Sequence, residues 1–184
     1  ADLHKRFRDH TVKLFEKHGM TNVGYWVPEG ENPDRELIYV LSYPDRAARD
    51  ASFKAFGADE AWKKARTESE ANGKLVTRIE QLFMSATDFS PAIQPSAGKG
   101  GRVFELRTYE SHNETAGAKK IEMFEQGGEI AIFRRVGIQP VFFETFGPMG
   151  ASAPSSSDLL SSGTTRSGSI STRVPRPLQA THMP

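Results

Sequence analysis

The sequence contains no cysteine, which excludes disulfide bonds, thiol nucleophiles and thiolate metal sites, and fits a reducing compartment. No apolar run approaches the roughly 20 residues that cross a bilayer. Lys and Arg number 24 against 23 Asp and Glu, so no net field would draw the chain to nucleic acid or an anionic membrane. We therefore expect a soluble protein that binds no nucleic acid and has no membrane span.

What the chain does contain is a clear alternation of helical and strand patterns in its first half. Apolar residues at helical spacing predict a helix over Asp2–His18, closed by a left-handed glycine at Gly19. The segments that follow predict a strand Thr21–Val27, a central strand Leu37–Tyr43, two helical pieces within Asp45–Arg66 divided at Gly57, and a strand Leu75–Ala86. The chain opens at Ala1 without a leader, and we expect it to begin inside a longer sequence.

The second half repeats the beginning of this pattern. Val103–Tyr109 predicts a strand, and a helix follows it. A helix, its glycine cap and a strand then align between the two halves: Val12, Phe15, Gly19 and Val23 fall over Ile130, Phe133, Gly137 and Val141. Gly137 is accordingly predicted to adopt positive φ after a helix.

The motifs along residues 1–146 resemble those of the NIPSNAP family. They are the strand Phe104–Tyr109 (FELRTY), the helix segment Arg6–Thr11 (RFRDHT), its end Leu14–Gly19 (LFEKHG), and Ala47–Asp50 (AARD) with Phe56 and Trp62. The resemblance implies an α+β fold, a ferredoxin-like β-α-β-β-α-β unit whose sheets pair into a dimeric α/β barrel, often as tandem repeats in one chain. Two departures are evident, because the first strand of repeat one and the second half of repeat two are absent.

This resemblance and the composition together predict four segments. They are a first NIPSNAP-like repeat at 1–88, a linker at 89–101, the first half of a second repeat at 102–146, and a disordered Ser/Pro-rich tail at 147–184. The abrupt change after Phe146 suggests a shifted reading frame as the origin of the tail.

Four residues are candidate ligand contacts: Tyr25, Glu105, Arg107 and Tyr109. The last three alternate along one strand and share one side, where an acid, a cation and a phenol could orient a small polar ligand in a barrel cavity. Arg107 is the best anchor for an anion. The alternative is a cross-strand ion pair plus an interface tyrosine, which we favour.

No metal or cofactor is predicted. His10 and His18 lie about 12 Å apart along helix one by helix geometry, too far to share an ion without other ligands. We interpret His18 as a cation at the helix C-terminus and His10 as a surface or satisfied polar residue. Gly98–Gly101 lacks the spacing and the Ser/Thr of a phosphate loop, so it is a linker.

Two functions follow from these observations. The first is a dimerising binding or interaction module of the NIPSNAP type, because no catalytic constellation is recognisable. The alternative is a small cofactor-free monooxygenase- or isomerase-like enzyme of the same superfamily, with a cavity lined by the four candidate residues. We expect a homo-oligomer, with a small-molecule ligand as a further partner. The expected location is cytoplasmic, or mitochondrial in a eukaryote.

Overall fold

The computed structural model describes residues 2–93 and 102–146, together with two short strands, β7 (Ser171–Thr172) and β8 (Leu178–Ala180). The chain divides into two compact units, one centred on Ala1–Glu80 and the other on Gln81–Gly98 and Val103–Leu178. Residues 81–88, assigned to the first repeat by sequence, group with the second unit. Apart from β7 and β8, the predicted tail lies outside the described residues, as do residues 94–101 of the linker, and both stay predictions.

The first unit begins with one continuous helix, as the sequence predicts. It consists of α1 (Asp2–Arg6), a π-helical turn (Phe7–Thr11) and α2 (Val12–Lys17). The π-helical turn was not predicted, and in it the buried Thr11 hydroxyl donates to the carbonyl of Arg6 at 3.3 Å. Gly19 follows at φ 78°, as predicted. Its N–H donates to Glu16 and that of Met20 to Phe15, which satisfies carbonyls at the helix end.

A two-stranded antiparallel hairpin packs against this helix. β1 (Thr21–Pro28) pairs with β2 (Ile38–Ser42) so that Tyr25 lies opposite Tyr39 and Trp26 opposite Ile38. The bounds agree with the prediction to within one residue at each end. The prediction that β2 is a central strand is wrong, because β2 stands at the end of its sheet and, among the described residues, pairs with β1 alone. The prediction rests on the apolar residues on both faces of β2, and such residues do not determine whether a second strand pairs with its other edge.

Two helices complete the first unit: α3 (Arg46–Ala58) and α4 (Glu60–Ser69). The Asp45 carboxylate accepts from the N–H of Ala48 and caps α3. The division between the helices is at Asp59 and not at Gly57, which lies inside α3. Asp59 has an extended backbone and its carboxylate caps α4 through the N–H of Ala61, so a capping residue outweighs a flexible one.

The core of the first unit is aromatic and lies between the N-terminal helix, the hairpin and α3. Its buried members are Phe7, Leu14, Phe15, Met20 and Phe56. Phe15 contacts Phe56 with a ring-centroid distance of 4.9 Å, and Phe7 contacts Tyr25 and Tyr39 at 5.7 and 5.4 Å. The helix and hairpin are therefore joined by rings from both.

The predicted strand Leu75–Ala86 is wrong except at its last two residues. Only β3 (Ser85–Ala86) forms, and it pairs with β6 (Glu144–Thr145). Upstream, Ile79 and Leu82 are exposed. A strand forms where a neighbouring strand bonds its backbone groups, and among the described residues this segment pairs with another strand at Ser85–Ala86.

β4 (Arg102–Phe104) lies at the division between the units, with Arg102 in the first and Val103 and Phe104 in the second. The second unit then contains β5 (Arg107–Thr108), α5 (Glu114–Glu125) and α6 (Glu129–Arg135) before β6. The predicted strand Val103–Tyr109 is therefore interrupted at Glu105 and Leu106, because β4 and β5 belong to different sheets. The buried core of the second unit consists of Phe124 and Phe143. The partly buried residues that pack on them are Tyr109, Ile121, Ile130, Phe133 and Phe89.

Candidate functional site

The four predicted ligand contacts are divided between the two units. Tyr25 belongs to the first unit, and Glu105, Arg107 and Tyr109 belong to the second. The prediction that all four residues line one cavity stays a prediction.

Tyr25 is built into the core of the first unit. Its ring stacks on Tyr39 at 5.7 Å, and its hydroxyl donates to the Oδ1 atom of Asn22. Asn22 in turn donates to the Val12 carbonyl at 3.2 Å and to the Glu16 carboxylate at 3.1 Å. Burial raises the pKa of the Tyr25 phenol well above its ordinary value. The phenol therefore stays neutral at physiological pH and connects the hairpin to the helix.

Arg107 interacts with the other two candidates of its unit, Glu105 and Tyr109. Its Nη2 atom donates to Glu105 Oε2 at 3.1 Å. This hydrogen bond, followed by one with Tyr109, raises the pKa of the Arg107 guanidinium. The partner of Arg107 is thus a residue two positions away in the same segment, and the favoured alternative of a cross-strand ion pair is wrong in that respect. The prediction that the acid, the cation and the phenol orient a small polar ligand stays a prediction.

A second cation, not identified from sequence, lies on the other side of Tyr109. The Lys120 Nζ atom is 4.4 Å from the centre of the Tyr109 ring and 4.8 Å from that of Phe124, and it pairs with Glu129 at 3.1 Å. Tyr109 is therefore contacted by two cations, each with its own carboxylate. The spacing of Lys120 and Phe124, four positions apart on α5, is the signal that could have placed this lysine beside the aromatic core.

The sheet of the first unit presents a second candidate site, which is apolar. Tyr25 and Tyr39 face the core, so the alternate residues Trp26, Ile38 and Val40 lie on the opposite face. We call Trp26, Ile38 and Val40 the outer sheet face. All three are partly exposed.

Gly24 keeps this face flat. A Cβ atom built on Gly24 would lie 2.3 Å from the Trp26 ring, so the indole lies across the glycine and no larger residue fits beneath it. The outer sheet face therefore consists of one aromatic and two aliphatic side chains.

Two cavities formed by described residues have no predicted ligand contact in their linings. One, of about 150 Å³, is lined by Asp2, Leu3, His4, Arg35 and Leu75. The other is an open groove of about 540 Å³ along the start of α5, lined by residues between His112 and Glu122.

Within the described part of the chain, no group of three or more His, Asp or Glu side chains is placed to hold a metal ion. His18, interpreted as a helix-end cation, is the residue after α2, and its Nε2 atom lies 2.7 Å from Asp59 Oδ2. In the same described residues no helix is long and apolar enough to cross a membrane.

Comparison with known proteins gives one family. Residues 1–91 match the family model of NIPSNAP. No curated protein and no solved structure matches the chain.

Proposed function

Because residues 1–91 belong to the NIPSNAP family, we propose that the chain is a binding and interaction module whose first unit dimerises through the outer sheet face. The observation that carries the proposal is the asymmetry of the hairpin. Its inner face is covered by the N-terminal helix and α3 through Phe7, Phe15 and Phe56. On its outer face, the side chains of Ile38 and Val40 are partly exposed.

The chemistry of this face supports self-association over the binding of a charged partner. Ile38 and Val40 give it two β-branched side chains, and the core of a protein interface is typically apolar. A second copy offers the same apolar surface in a two-fold arrangement, in which each residue of one copy contacts its equivalent or a neighbour in the other.

The proposal is tested by measuring the mass of the chain in solution at micromolar concentration. Light scattering after gel filtration should give a dimer for the wild-type chain. Val40→Lys and Ile38→Lys each place a charge in the apolar interface and should shift the mass to that of the monomer.

Ile79→Lys is the matched control. It makes the same change at an exposed apolar residue of the same unit, outside the hairpin, and should leave the dimer intact. Circular dichroism should show unchanged helix content for all three variants. A wild-type monomer, or a dimer that survives both Val40→Lys and Ile38→Lys, would contradict the proposal.

A further inference from the structure

The two units end one of their helices in the same way. After α2, the N–H of Gly19 donates to Glu16 and that of Met20 donates to Phe15; after α6, Gly137 donates to Arg134 and Ile138 to Phe133. Gly19 and Gly137 both have positive φ, 78° and 84°. These are the two hydrogen bonds of a Schellman cap. The two caps therefore lie at positions that the sequence alignment of the two halves matches, with Gly19 over Gly137.

The helices also depart from regular geometry at the same aligned place. The π-helical turn Phe7–Thr11 aligns with Glu125–Glu129, where α5 ends and α6 begins after Gly128 at φ 79°. Both helices then end at aligned residues, Lys17 and Arg135. The alignment therefore identifies equivalent positions in the two units.

Equivalent positions differ sharply in burial. Leu14 is 9% exposed and Met20 is 2% exposed, whereas Ile132 is 46% and Ile138 is 43% exposed. Val136, which aligns with the partly buried His18, is also exposed. We call Ile132, Val136 and Ile138 the open apolar surface of the second unit.

In the first unit the covering element is α3. Leu14 and Met20 share one core cluster with Phe56, Phe15 contacts Phe53 and Phe56, and the His18 ring lies against Phe56. Just after α3, Asp59 pairs with Lys17 at 2.6 Å. In the second unit Arg135 stands at the position of Lys17, so the matching cation is retained.

We propose that the open apolar surface binds an amphipathic helix of another protein, with the chemistry of α3: two aromatic residues three positions apart and an acidic residue three positions after the second. The aromatic residues would cover Ile132 and Ile138, and the acid would pair with Arg135. α3 of a second copy is already buried against its own N-terminal helix, so the occupant is a different chain. The inference rests on the alignment of the two units and not on the dimer proposed above.

The probe for this site is a synthetic peptide of residues 45–59, which contains α3 and Asp59. A helix this short is marginal by itself, so the peptide carries a cross-link between Ala51 and Ala55, which are exposed and one turn apart. Binding of the labelled peptide to the full chain is followed by fluorescence anisotropy and should be saturable. Ile132→Lys and Ile138→Lys in the chain should each weaken it by about tenfold or more.

Three controls separate this site from other surfaces. Ile79→Lys in the chain should leave the affinity unchanged. A peptide with Phe53→Ala and Phe56→Ala should bind about tenfold more weakly or worse. A peptide with Asp59→Lys should also bind more weakly, because its lysine would meet Arg135 in place of an acid. Because Ile132 and Ile138 are exposed, the variants Ile132→Lys and Ile138→Lys should keep the wild-type melting temperature. If one of them does not, Val136→Lys takes its place in the binding measurement.

Three results would overturn the proposal. The first is no saturable binding up to about 1 mM peptide, which would include the case in which another part of this chain covers the surface. The second is binding that survives both lysine variants. The third is a wild-type dimer that Ile138→Lys dissociates while Val40→Lys does not, because a second copy would then be the occupant.

Discussion

Gly137 follows Val136, the residue that caps the C-terminus of α6, and has a φ of 84°. Glycine adopts this conformation without the clash that a Cβ atom causes in other residues. No atom lies within 4 Å of a Cβ built there, so only the backbone resists a larger residue. We expect Gly137→Ala to lower the free energy of unfolding by about 1 kcal/mol, as measured by urea denaturation.

Gly57→Ala is the matched control for this prediction. Gly57 lies inside α3, and a Cβ atom built on it also meets nothing within 4 Å. Alanine favours a helix interior over glycine by about 0.5–1 kcal/mol, so this substitution should stabilise the chain. A Gly137→Ala variant as stable as the wild type would contradict the account of the cap.

Arg6 and Glu70 form an ion pair in the interior of the first unit. Their side chains are 4% and 16% exposed, and Arg6 Nη1 lies 2.9 Å from Glu70 Oε1. The hydrogen bond from Arg6 is the main reason that the pKa of Glu70 lies below its ordinary value. In Glu70→Ala the buried Arg6 guanidinium loses its carboxylate and keeps the Ser69 hydroxyl and the Trp62 ring as partners, so we expect this variant to destabilise the chain by about 3 kcal/mol.

The double variant Arg6→Met with Glu70→Met tests whether this cost comes from the unpaired charge. Apolar replacements of a buried pair are often neutral, so the double variant should recover most of the lost stability in the same urea titration. Glu68→Ala, on the exposed side of α4, should change stability by less than about 0.5 kcal/mol. Equal losses for the single and double variants would show that the pair itself stabilises the fold.

At the scale of elements, Asp59 connects three helices. It ends α3, caps α4 through Ala61, and accepts from Lys17 and His18 at the end of α2. The hydrogen bond from Lys17 and then that from His18 hold the pKa of Asp59 far below its ordinary value. Folding therefore favours the ionised carboxylate.

The sign of the pH effect follows from this lowered pKa. The contribution of Asp59 to stability is complete above the ordinary aspartate pKa of about 4, and it is lost as the pH falls through the lower pKa of the folded state. Asp59→Asn keeps a good N-cap residue but removes the charge. We expect it to flatten the loss of stability between neutral and acidic pH, measured by thermal melts across that range. An acid limb identical to that of the wild type would contradict the role of Asp59.

Most elements of the first unit could be predicted because each has a periodic apolar pattern and a residue that marks its beginning or its end. Gly19 closes α2, Pro28 ends β1 and Asp45 caps α3. Leu75–Met84 has an apolar pattern too, but strand formation depends on a distant neighbour that local sequence does not specify. The π-helical turn was missed for a similar reason, because it changes the hydrogen-bonding pattern without changing the apolar spacing.

The candidate site was predictable only along a single strand. Alternation along one strand predicts that Glu105, Arg107 and Tyr109 share a face, but the strand is interrupted at Glu105 and Leu106, and the pair that forms is the Arg107–Glu105 hydrogen bond. Lys120 comes from α5, and its position over Tyr109 depends on how the helix packs on β5 and its flanking residues. The burial of Tyr25 against Phe7 and Tyr39 likewise depends on packing between elements that are distant in sequence.

At the scale of the whole molecule, each unit has its own aromatic core. Phe7, Phe15 and Phe56 belong to one, and Phe124 and Phe143 to the other. The chain has two tryptophans, Trp26 and Trp62, and both belong to the first unit. Tryptophan fluorescence therefore reports on the first unit alone, whereas far-ultraviolet circular dichroism reports on the helices of both.

Phe124→Ala should separate the unfolding of the two units. Phe124 is buried and its ring contacts Tyr109, Phe133 and Phe143, so its truncation should destabilise the second unit by roughly 3–5 kcal/mol. In a urea titration, circular dichroism should then show an early loss of helix while the fluorescence transition stays at its wild-type midpoint. Phe56→Ala, the matched truncation in the first core, should instead lower the fluorescence midpoint. If Phe124→Ala shifted both signals by the same amount, the units would unfold as one cooperative body and the independence of their cores would be disproved.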